Sequence, residues 1–207
     1  MTEATPALVV RDLEVVYQRG GEPACRDVTV TLDAGHSLLV NGGHGAGKTS
    51  VIRALLGLVI ARGEVTVFGH PPGPTGLARR IGYGPQGKTF LERHTPSQVV
   101  GLVSALRTGR NAARDAAEAL DRSGLAQSRR DVSTLDVEEV RRVALACAIA
   151  ADPDLIVLDD PWEFSETYAE IERARARGAA ILVATDEPGG FAARLDRTIT
   201  LVEGVPT

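Results

Sequence analysis

The residues whose types and spacing could carry chemistry begin with N-G-G-H-G-A-G-K-T-S at positions 41–50. Gly42, Gly47, Lys48 and Thr49 complete the pattern G-x-x-x-x-G-K-[ST], which is typical of a phosphate-binding loop. Glycines allow successive backbone N–H groups to turn towards phosphate oxygens without a side chain in between. A lysine at this place can reach the β- and γ-phosphates, and the hydroxyl after it can ligate Mg²⁺. The stretch therefore predicts a site for a nucleoside triphosphate.

The neighbouring sequence supplies the elements that such a loop requires. Residues 37–40 form a short apolar run that suits a buried strand, and apolar residues recur at helical spacing over 51–56, before Gly57. A strand, a glycine loop and a helix N-terminus place a positive dipole end on a phosphate, which a chance glycine turn would not. The residues expected to contact the phosphates are Gly42, Gly43, His44, Gly45, Ala46, Gly47, Lys48, Thr49 and Ser50.

Two carboxylates follow the most apolar run of the chain. Residues 155–158 read L-I-V-L and lead directly into Asp159 and Asp160. Such a run is typical of a buried parallel strand, and ligands of open α/β sheets bind at the carboxyl ends of these strands. Beside a phosphate loop, an aspartate at this place holds Mg²⁺ directly or through water. Asp159 is therefore a predicted metal ligand together with Thr49, and an acidic helix cap is the plainer alternative.

Two further side chains could complete the site. Gln86 follows I-G-Y-G at 81–84 and Pro85, which places it in a loop after a short strand. Its amide both donates and accepts hydrogen bonds, so it could ligate Mg²⁺ or orient an attacking water. Tyr17 ends a strand-like stretch at 7–17. Its ring could stack on a nucleotide base, or it could be an ordinary tyrosine at the end of a strand.

The composition limits the class of protein. The chain has 207 residues, a net charge of −4 and 43% apolar residues, which suits one domain, or one domain with a lobe. The acidic balance argues against nucleic-acid binding. Cys25 and Cys147 match no C-x-x-C pattern, so we expect buried thiols in a reducing compartment. Because neither a signal peptide nor a membrane-spanning run is evident, we expect a cytoplasmic protein whose membrane role needs a partner chain.

The rest of the chain predicts the elements that position these residues. Alternating and continuous apolar runs predict strands, and an alanine-rich stretch at 96–130 predicts a helical segment with a solvated charged face. Besides 37–40 and 155–158, the predicted strands cover 7–17, 29–32, 63–69, 81–84, 180–185 and 198–202. Two further helices are predicted at 132–151 and 165–177. An α/β fold follows, with the site at the carboxyl edge of a sheet.

In this order, the segments resemble the nucleotide-binding domain of the ATP-binding cassette (ABC) family over nearly the whole chain. The motifs are the loop at 42–49, Y-G-P-Q ending at Gln86, V-S-T-L at 132–135 before R-R-V-A-L-A, L-I-V-L-D at 155–159, and A-T at 184–185. The resemblance implies a P-loop NTPase (ABC ATPase) fold for 1–207 as a single domain. That fold has a mostly parallel sheet core, an N-terminal antiparallel β subdomain and a helical lobe inserted at about 87–150.

The resemblance also implies ligands and partners. ATP and Mg²⁺ would be bound, with Tyr17 as the stacking aromatic. Residues 87–134 would dock a membrane permease, which would hold the chain at the inner face of the cell membrane. Two cassettes would form a head-to-tail homodimer, or a heterodimer with another ABC ATPase, with ATP between each phosphate loop and the opposing signature segment.

The chain departs from the family at that signature, because L-S-G-G-Q is here L-D-V-E-E at 135–139. A carboxylate about 4 Å from a phosphate charge costs about 4 kcal/mol at an effective dielectric of 20. The same residues suit a helix start, since Asp136 can cap the helix and Glu139 can complete a capping box. We therefore expect the helix to be kept and its phosphate role to be largely given up.

Two catalytic positions also differ. The family's general-base glutamate is Asp160 here, which is one methylene shorter and so reaches less far towards a water. The family's switch histidine falls on Asp186, and an ionised aspartate cannot donate a hydrogen bond to a γ-phosphate. With Gln86, these are the candidate catalytic residues. Trp162, in a loop that lacks the family's L-D, is expected to be exposed or partner-facing, with a core position as the alternative.

Three functions fit these observations. The first is an ATPase subunit that binds Mg²⁺-ATP and powers a separate permease. The second is a degenerate subunit that binds nucleotide, hydrolyses it weakly or not at all, and pairs with a conventional ATPase. The third, an ABC protein acting on nucleic acid or the ribosome, ranks last because the chain is acidic and has one cassette.

Overall fold

A computed structural model gives the structure of the chain and describes residues 5–18, 20–73, 77–87, 93–109, 112–125 and 129–207. The strands are β1 (Leu8–Val15), β2 (Cys25–Leu32), β3 (Ser37–Gly42), β4 (Ala61–Val67), β5 (Ile81–Gly84), β6 (Leu155–Asp159), β7 (Ala180–Thr185), β8 (Arg197–Val202) and β9 (Val205–Pro206). The helices are α1 (Lys48–Leu55), α2 (Pro96–Thr108), α3 (Ala112–Arg122), α4 (Val137–Ile149), α5 (Ser165–Ala176) and α6 (Phe191–Arg194).

The strands form two sheets. The larger sheet has the order β5-β6-β7-β3-β8-β9 and is parallel except for β9, and the smaller sheet is antiparallel with the order β2-β1-β4. The predicted fold class, a mostly parallel core with an N-terminal antiparallel part and helices, is therefore confirmed. Within the described ranges, no helix is both long and apolar enough to cross a membrane.

The central strands place the site. Every residue of β6 and β7 is buried, and β3 is buried except at Asn41, as expected for parallel strands covered on both faces. Because these strands run in parallel, their carboxyl ends lie at one edge of the sheet. The phosphate-loop sequence follows β3, Asp160 follows β6, and Asp186 follows β7. The sheet thus gathers residues that are far apart in the sequence.

Helices α2, α3 and α4, which we call the helical lobe, come between β5 and β6. Helix α4 packs tightly on β5, since a Cβ added at Gly82 would lie 1.8 Å from the Ala148 carbonyl oxygen. The other face of α4 joins the apolar core formed with α2 and α3. Parts of the lobe predicted at 87–150, namely 88–92, 110–111 and 126–128, lie outside the described residues.

Several predicted element bounds were wrong. The first strand ends at Val15 and not at residue 17, and the second begins at Cys25 and not at residue 29. A bulge explains the second error, because Asp27 has a φ of 57° and the register with β1 shifts there, which interrupts the alternating pattern. The last strand begins at Arg197, one residue early, and is followed by β9, which was not predicted.

The helix predicted from 132 to about 151 is also shorter. Residues 132–134 form a separate 3₁₀ turn, and Asp136 caps the start of α4. The helix ends at Ile149 because Ala151 and Asp152 have φ values of 58° and 47°, which no helical residue can adopt.

Both cysteines are buried free thiols, as predicted. Burial raises the pKa of Cys25 to about 11 and that of Cys147 to about 12. A thiol with such a pKa carries almost no thiolate at neutral pH, so both behave as small apolar residues.

Candidate nucleotide-binding site

The loop between β3 and α1 has a backbone that requires glycine. Gly47 has a φ of 91°, and a Cβ there would lie 2.2 Å from the Ala24 carbonyl oxygen. At Gly43 and Gly45, by contrast, an added Cβ would meet nothing within 4 Å, so the loop borders open space. A constrained loop beside open space is the arrangement in which backbone N–H groups can surround a phosphate.

A cleft of about 290 Å³ lies against this loop. Its lining consists of Ala24, His44, Gly45, Ala46, Gly47, Lys48, Thr49, Ser50, Arg53, Gln86, Asp159, Asp160 and Asp186. All predicted site residues except Gly42, Gly43 and Tyr17 are therefore among the residues that line this one cleft. The sequence prediction did not include Ala24 or Arg53.

Lys48 begins α1 and turns back over the loop. Its Nζ donates to the carbonyl oxygens of Gly42 at 2.6 Å and Gly43 at 2.9 Å. These bonds hold the ammonium group over the loop, where a lysine can bind phosphate oxygens.

Thr49 and Asp159, two of the three predicted metal ligands, are in contact. Thr49 Oγ1 donates to Asp159 Oδ1 at 3.2 Å, although 110 residues separate them in the sequence. Asp159 is 3% exposed. Burial raises the pKa of its carboxyl group, and the Thr49 hydrogen bond opposes that rise. A buried carboxylate of this kind is stabilised by a nearby cation.

Tyr83 on β5 is a second support for Asp159 that the sequence analysis missed. Its hydroxyl donates to Asp159 Oδ2 at 3.4 Å. Burial, and then the neighbouring Asp159 charge, raise the pKa of Tyr83 to about 12, so the hydroxyl keeps its proton at neutral pH. The Y-G-P-Q motif contained this tyrosine, and the motif could have drawn attention to it.

These residues fit a magnesium ion. A hydroxyl and a carboxylate are hard oxygen ligands, and Mg²⁺ in nucleotide sites takes one or two carboxylates and completes its shell with phosphate oxygens and water. No group of three or more His, Cys, Asp or Glu residues within the described ranges could bind a metal by itself. Thr49 and Asp159 therefore suit a metal that arrives with a phosphate ligand.

Tyr17 lies two residues beyond β1 and next to α1. Its hydroxyl is 3.2 Å from Ser50 Oγ and accepts a hydrogen bond from Arg53 at 3.2 Å. The residue is 51% exposed, so the ring remains accessible while its hydroxyl is held. The structure thus brings Tyr17 to the helix that follows the phosphate loop, and base stacking stays a prediction. Arg53 was missed, although it follows Thr49 by four residues and so shares its helix face.

Asp160 is held by three side chains of its own protein. Oδ1 accepts from Thr185 at 3.3 Å, and Oδ2 accepts from Gln86 at 3.1 Å and from Arg141 at 2.8 Å. Gln86 therefore contacts Asp160, and the structure brings two of the three candidate catalytic residues together. Arg141 had no assigned role in the sequence analysis, because its contact with Asp160 spans 19 residues and leaves no local pattern.

Asp186, the third candidate catalytic residue, is exposed at the end of β7. It lines the cleft and also a neighbouring cavity of about 460 Å³, together with Trp162 and Glu187. Among the described residues, none forms a hydrogen bond or an ion pair with its carboxylate. Trp162 is 41% exposed, so the core position considered for it was wrong.

The acidic segment at the start of α4 satisfies its own polar groups. Asp136 Oδ1 accepts from the Glu139 N–H at 2.8 Å, and the Asp136 N–H donates to Glu139 Oε2 at 3.0 Å. Glu139 also pairs with Arg130, and Glu138 pairs with Arg142 at 3.2 Å. The predicted capping box is confirmed. The loss of a phosphate role at this helix end stays a prediction.

The fold and this site define a P-loop nucleotide-binding protein. The sequence profile of the ABC transporter family matches residues 25–163, and the chain belongs to that family. The recognition based on the motifs, and the ATP-binding cassette fold that it implied, are thereby confirmed.

Relatives with similar sequences and a solved structure with a similar fold agree with this family assignment. The zinc transport system ATP-binding protein TroB of Treponema pallidum is 30% identical over 94% of this chain and 78% of its own. The zinc import ATP-binding protein ZnuC of Paracoccus denitrificans is 35% identical over 88% of this chain and 71% of its own. A dimeric ATP-binding cassette solved in a post-hydrolysis state with ADP and phosphate matches with a TM-score of 0.82 over 96% of both chains. That structure is 21% identical, so it supports the fold alone.

Proposed function

We propose that the chain binds Mg²⁺-ATP in the 290 Å³ cleft as the ATP-binding subunit of a transporter, and that it hydrolyses ATP slowly. The observation that carries the proposal is the contact between Thr49 and buried Asp159 beneath an intact glycine loop. Thr49 belongs to the first turn of α1 and Asp159 ends β6, and a hydroxyl and a carboxylate in contact beside a phosphate loop suit a phosphate-bound metal.

Each residue then has a role in binding. The backbone of residues 42–50 and the Lys48 ammonium group bind the phosphates, and Tyr17 stacks on the base. Thr49, Asp159 and Gln86 hold Mg²⁺, which when bound neutralises charge on the β- and γ-phosphates.

Slow hydrolysis is inferred from the groups around the γ-phosphate position. Asp160, the candidate general base, is bonded to Thr185, Gln86 and Arg141. Asp186 places a carboxylate where the family has a hydrogen-bond donor, and a carboxylate accepts hydrogen bonds without donating them. Each of these features opposes the chemical step without preventing nucleotide binding.

Substitution of Lys48 tests the binding half of this proposal. Lys48→Ala removes the ammonium group that faces the phosphates, and we expect the Kd for Mg²⁺-ATP to rise at least about tenfold, the ratio that 1.4 kcal/mol represents. A fluorescent ATP analogue measures this. Arg62→Ala is the control, because that side chain is 82% exposed and pairs with Glu14, away from the cleft lining. Equal affinities of the wild type and Lys48→Ala would contradict the proposal.

We further propose that the chain works at the cytoplasmic face of a membrane, bound to a permease through the helical lobe. It would act as a homodimer or with a second ABC ATPase. Co-purification from membranes of the source cells, with phosphate release measured on the complex, tests this. Recovery of the chain without a membrane protein in every detergent would contradict the permease partner.

The capping box at the start of α4 favours one variant of this function. A homodimer would place Asp136 to Glu139 against the ATP of both sites, whereas a heterodimer would do so at only one. We therefore favour a regulatory role beside a conventional ATPase over a self-sufficient ATPase. Rapid phosphate release by the purified chain alone would contradict that preference.

A further inference from the structure

Arg141 of α4 and Asp160 form an ion pair at the edge of the nucleotide cleft. Nη2 donates to Asp160 Oδ2 at 2.8 Å, and Nη1 donates to the main-chain oxygen of the same residue. The two side chains are 13% and 22% exposed, so solvent screens their attraction less than at an open surface. A guanidinium that binds both the main chain and the side chain of one residue fixes that residue in place.

Other contacts also fix Asp160 in place. Its φ is 53°, a conformation that residues other than glycine seldom adopt and that surrounding contacts must maintain. Thr185 and Gln86 bond the carboxylate from two other segments, and the Asp160 N–H donates to the Ala184 carbonyl at 2.7 Å. An ionised carboxylate has about four acceptor positions, and three are occupied here.

We propose that Arg141 is a positioning residue that latches Asp160 in a resting arrangement, which holds its carboxylate back from a water until α4 moves. The inference rests on the proposed function, in which Asp160 is the candidate general base. A general base must reach the proton that it accepts. Arg141 and Gln86 both donate to Oδ2, so one of them must give way before Oδ2 can accept a proton from a water.

The latch joins two parts of the fold. Arg141 belongs to the helical lobe, and Asp160 follows β6 in the sheet. A shift of α4 relative to β6 would therefore break the ion pair. A partner that docks on the lobe could in this way set the state of Asp160 without entering the nucleotide cleft.

Trp162 provides a direct reporter of the latch. It is the single tryptophan of the chain, lies two residues after Asp160, and is 41% exposed. Arg141, Pro161 and Trp162 also line one small cavity. Release of Asp160 frees the segment that carries this indole, and its emission changes as a result.

The experiment compares wild type with Arg141→Gln. We expect the Trp162 emission to move to longer wavelength and to become more accessible to acrylamide, with unchanged far-UV circular dichroism. Arg141→Lys keeps the positive charge but loses the two guanidinium N–H groups that contact Asp160 together. It is therefore expected to show an emission between those of the wild type and Arg141→Gln. Arg114→Gln is the matched control, since Arg114 lies on α3, is 78% exposed and pairs with Glu118. Should Arg141→Gln not fold, Arg141→Lys takes its place, with a smaller shift expected.

Turnover of Mg²⁺-ATP is measured on the same proteins. A several-fold rise in kcat for Arg141→Gln, with an unchanged Kd for ATP, supports the latch. A lower kcat for Arg141→Gln overturns the latch. Equal turnover by the two proteins also overturns it, even if neither hydrolyses ATP. An unchanged Trp162 emission overturns it as well. ATP binding by Lys48→Ala is measured in parallel to separate the latch from the proposed function. If Lys48→Ala binds ATP as well as the wild type, the proposed function itself fails. If Lys48→Ala binds ATP more weakly, the proposed function stands and the turnover result tests the latch alone.

Discussion

The described lining of the nucleotide cleft carries charges of both signs. The basic side chains are Lys48 and Arg53, and the carboxylates are Asp159, Asp160 and Asp186. The roles of these acids differ because their surroundings differ. Asp159 is buried against Thr49, and Asp160 is paired with Arg141. Asp186 is exposed, and no cation in the described part of the chain pairs with it. Of these three carboxylates, Asp186 is thus the one with the fewest contacts to neighbouring groups.

Removal of the Asp186 carboxylate should tighten nucleotide binding. Asp186→Asn keeps the size of the side chain and replaces a repelling carboxylate by an amide that can donate. We expect the Kd for Mg²⁺-ATP to fall about threefold to tenfold. This is well below the factor implied by about 4 kcal/mol for adjacent charges, because Asp186 is exposed and screened. Titration with a fluorescent ATP analogue at two salt concentrations measures the change.

Glu187→Gln is the control for this substitution. It also removes one carboxylate, but Glu187 lines the neighbouring 460 Å³ cavity and not the nucleotide cleft. Equal gains from both variants would mean that general surface charge, and not the position of Asp186, limits binding.

The elements show which features a sequence can reveal. Strand β7 was predicted with both of its observed ends, and β6 was predicted to end at Leu158, one residue before its observed end at Asp159. Continuous apolar runs made this possible, because they identify strands that are buried on both faces. The phosphate loop and the capping box were also predictable, since each is a contact among residues close in sequence. The start of β2 was missed because a bulge at Asp27 interrupts the alternation on which the prediction depends.

Contacts between distant elements could not be predicted in this way. Arg141 and Asp160 are 19 residues apart, and Thr49 and Asp159 are 110 apart. Motif knowledge suggested the second pair, whereas nothing in the sequence marked the first. Tight packing between α4 and β5 was equally invisible, because a glycine in a short strand can have several causes.

The close packing of α4 on β5 gives a prediction for the stability of the protein. In Gly82→Ala the new Cβ would lie 1.8 Å from the Ala148 carbonyl oxygen and 2.6 Å from Pro153 Cγ, so α4 must move away from β5. We expect a loss of about 1–3 kcal/mol or more in the free energy of unfolding, as for other overpacked sites. Urea denaturation followed by circular dichroism measures it.

Gly101→Ala is the matched control, and we expect it to raise the free energy of unfolding. A Cβ at Gly101, in α2, would meet the nearest atoms at 3.8 and 3.9 Å, which is ordinary contact. Replacement of a helical glycine by alanine then stabilises by about 0.5–1 kcal/mol. A Gly82→Ala protein as stable as Gly101→Ala would show that α4 can shift on β5 at little cost.

At the scale of the whole molecule, the helical lobe is tied to α5 by ionic contacts as well as by its apolar core. Arg142 of α4 donates to Glu166 at 3.0 Å and lies 4.2 Å from the Phe164 ring centroid. Arg122 of α3 pairs with both Glu170, in a bidentate contact, and Asp152. These contacts hold the helical lobe against the larger sheet on the side that carries α5, while Arg141 holds the lobe at the cleft.

The pair of Arg122 with Glu170 should dominate this connection, since the side chains are only 16% and 8% exposed. In Glu170→Ala, the buried guanidinium keeps Asp152 as its remaining ion-pair partner among the described residues. Loss of one partner of a buried pair costs about 3–5 kcal/mol. We expect the free energy of unfolding, measured by urea denaturation, to fall by about that amount. Glu172→Ala on the same helix removes an acid that is 60% exposed and pairs with Arg175 at 3.4 Å, and should cost below about 1 kcal/mol. Similar losses from the two substitutions would mean that the lobe is held by its apolar core, and that this ion pair contributes no more than a surface one.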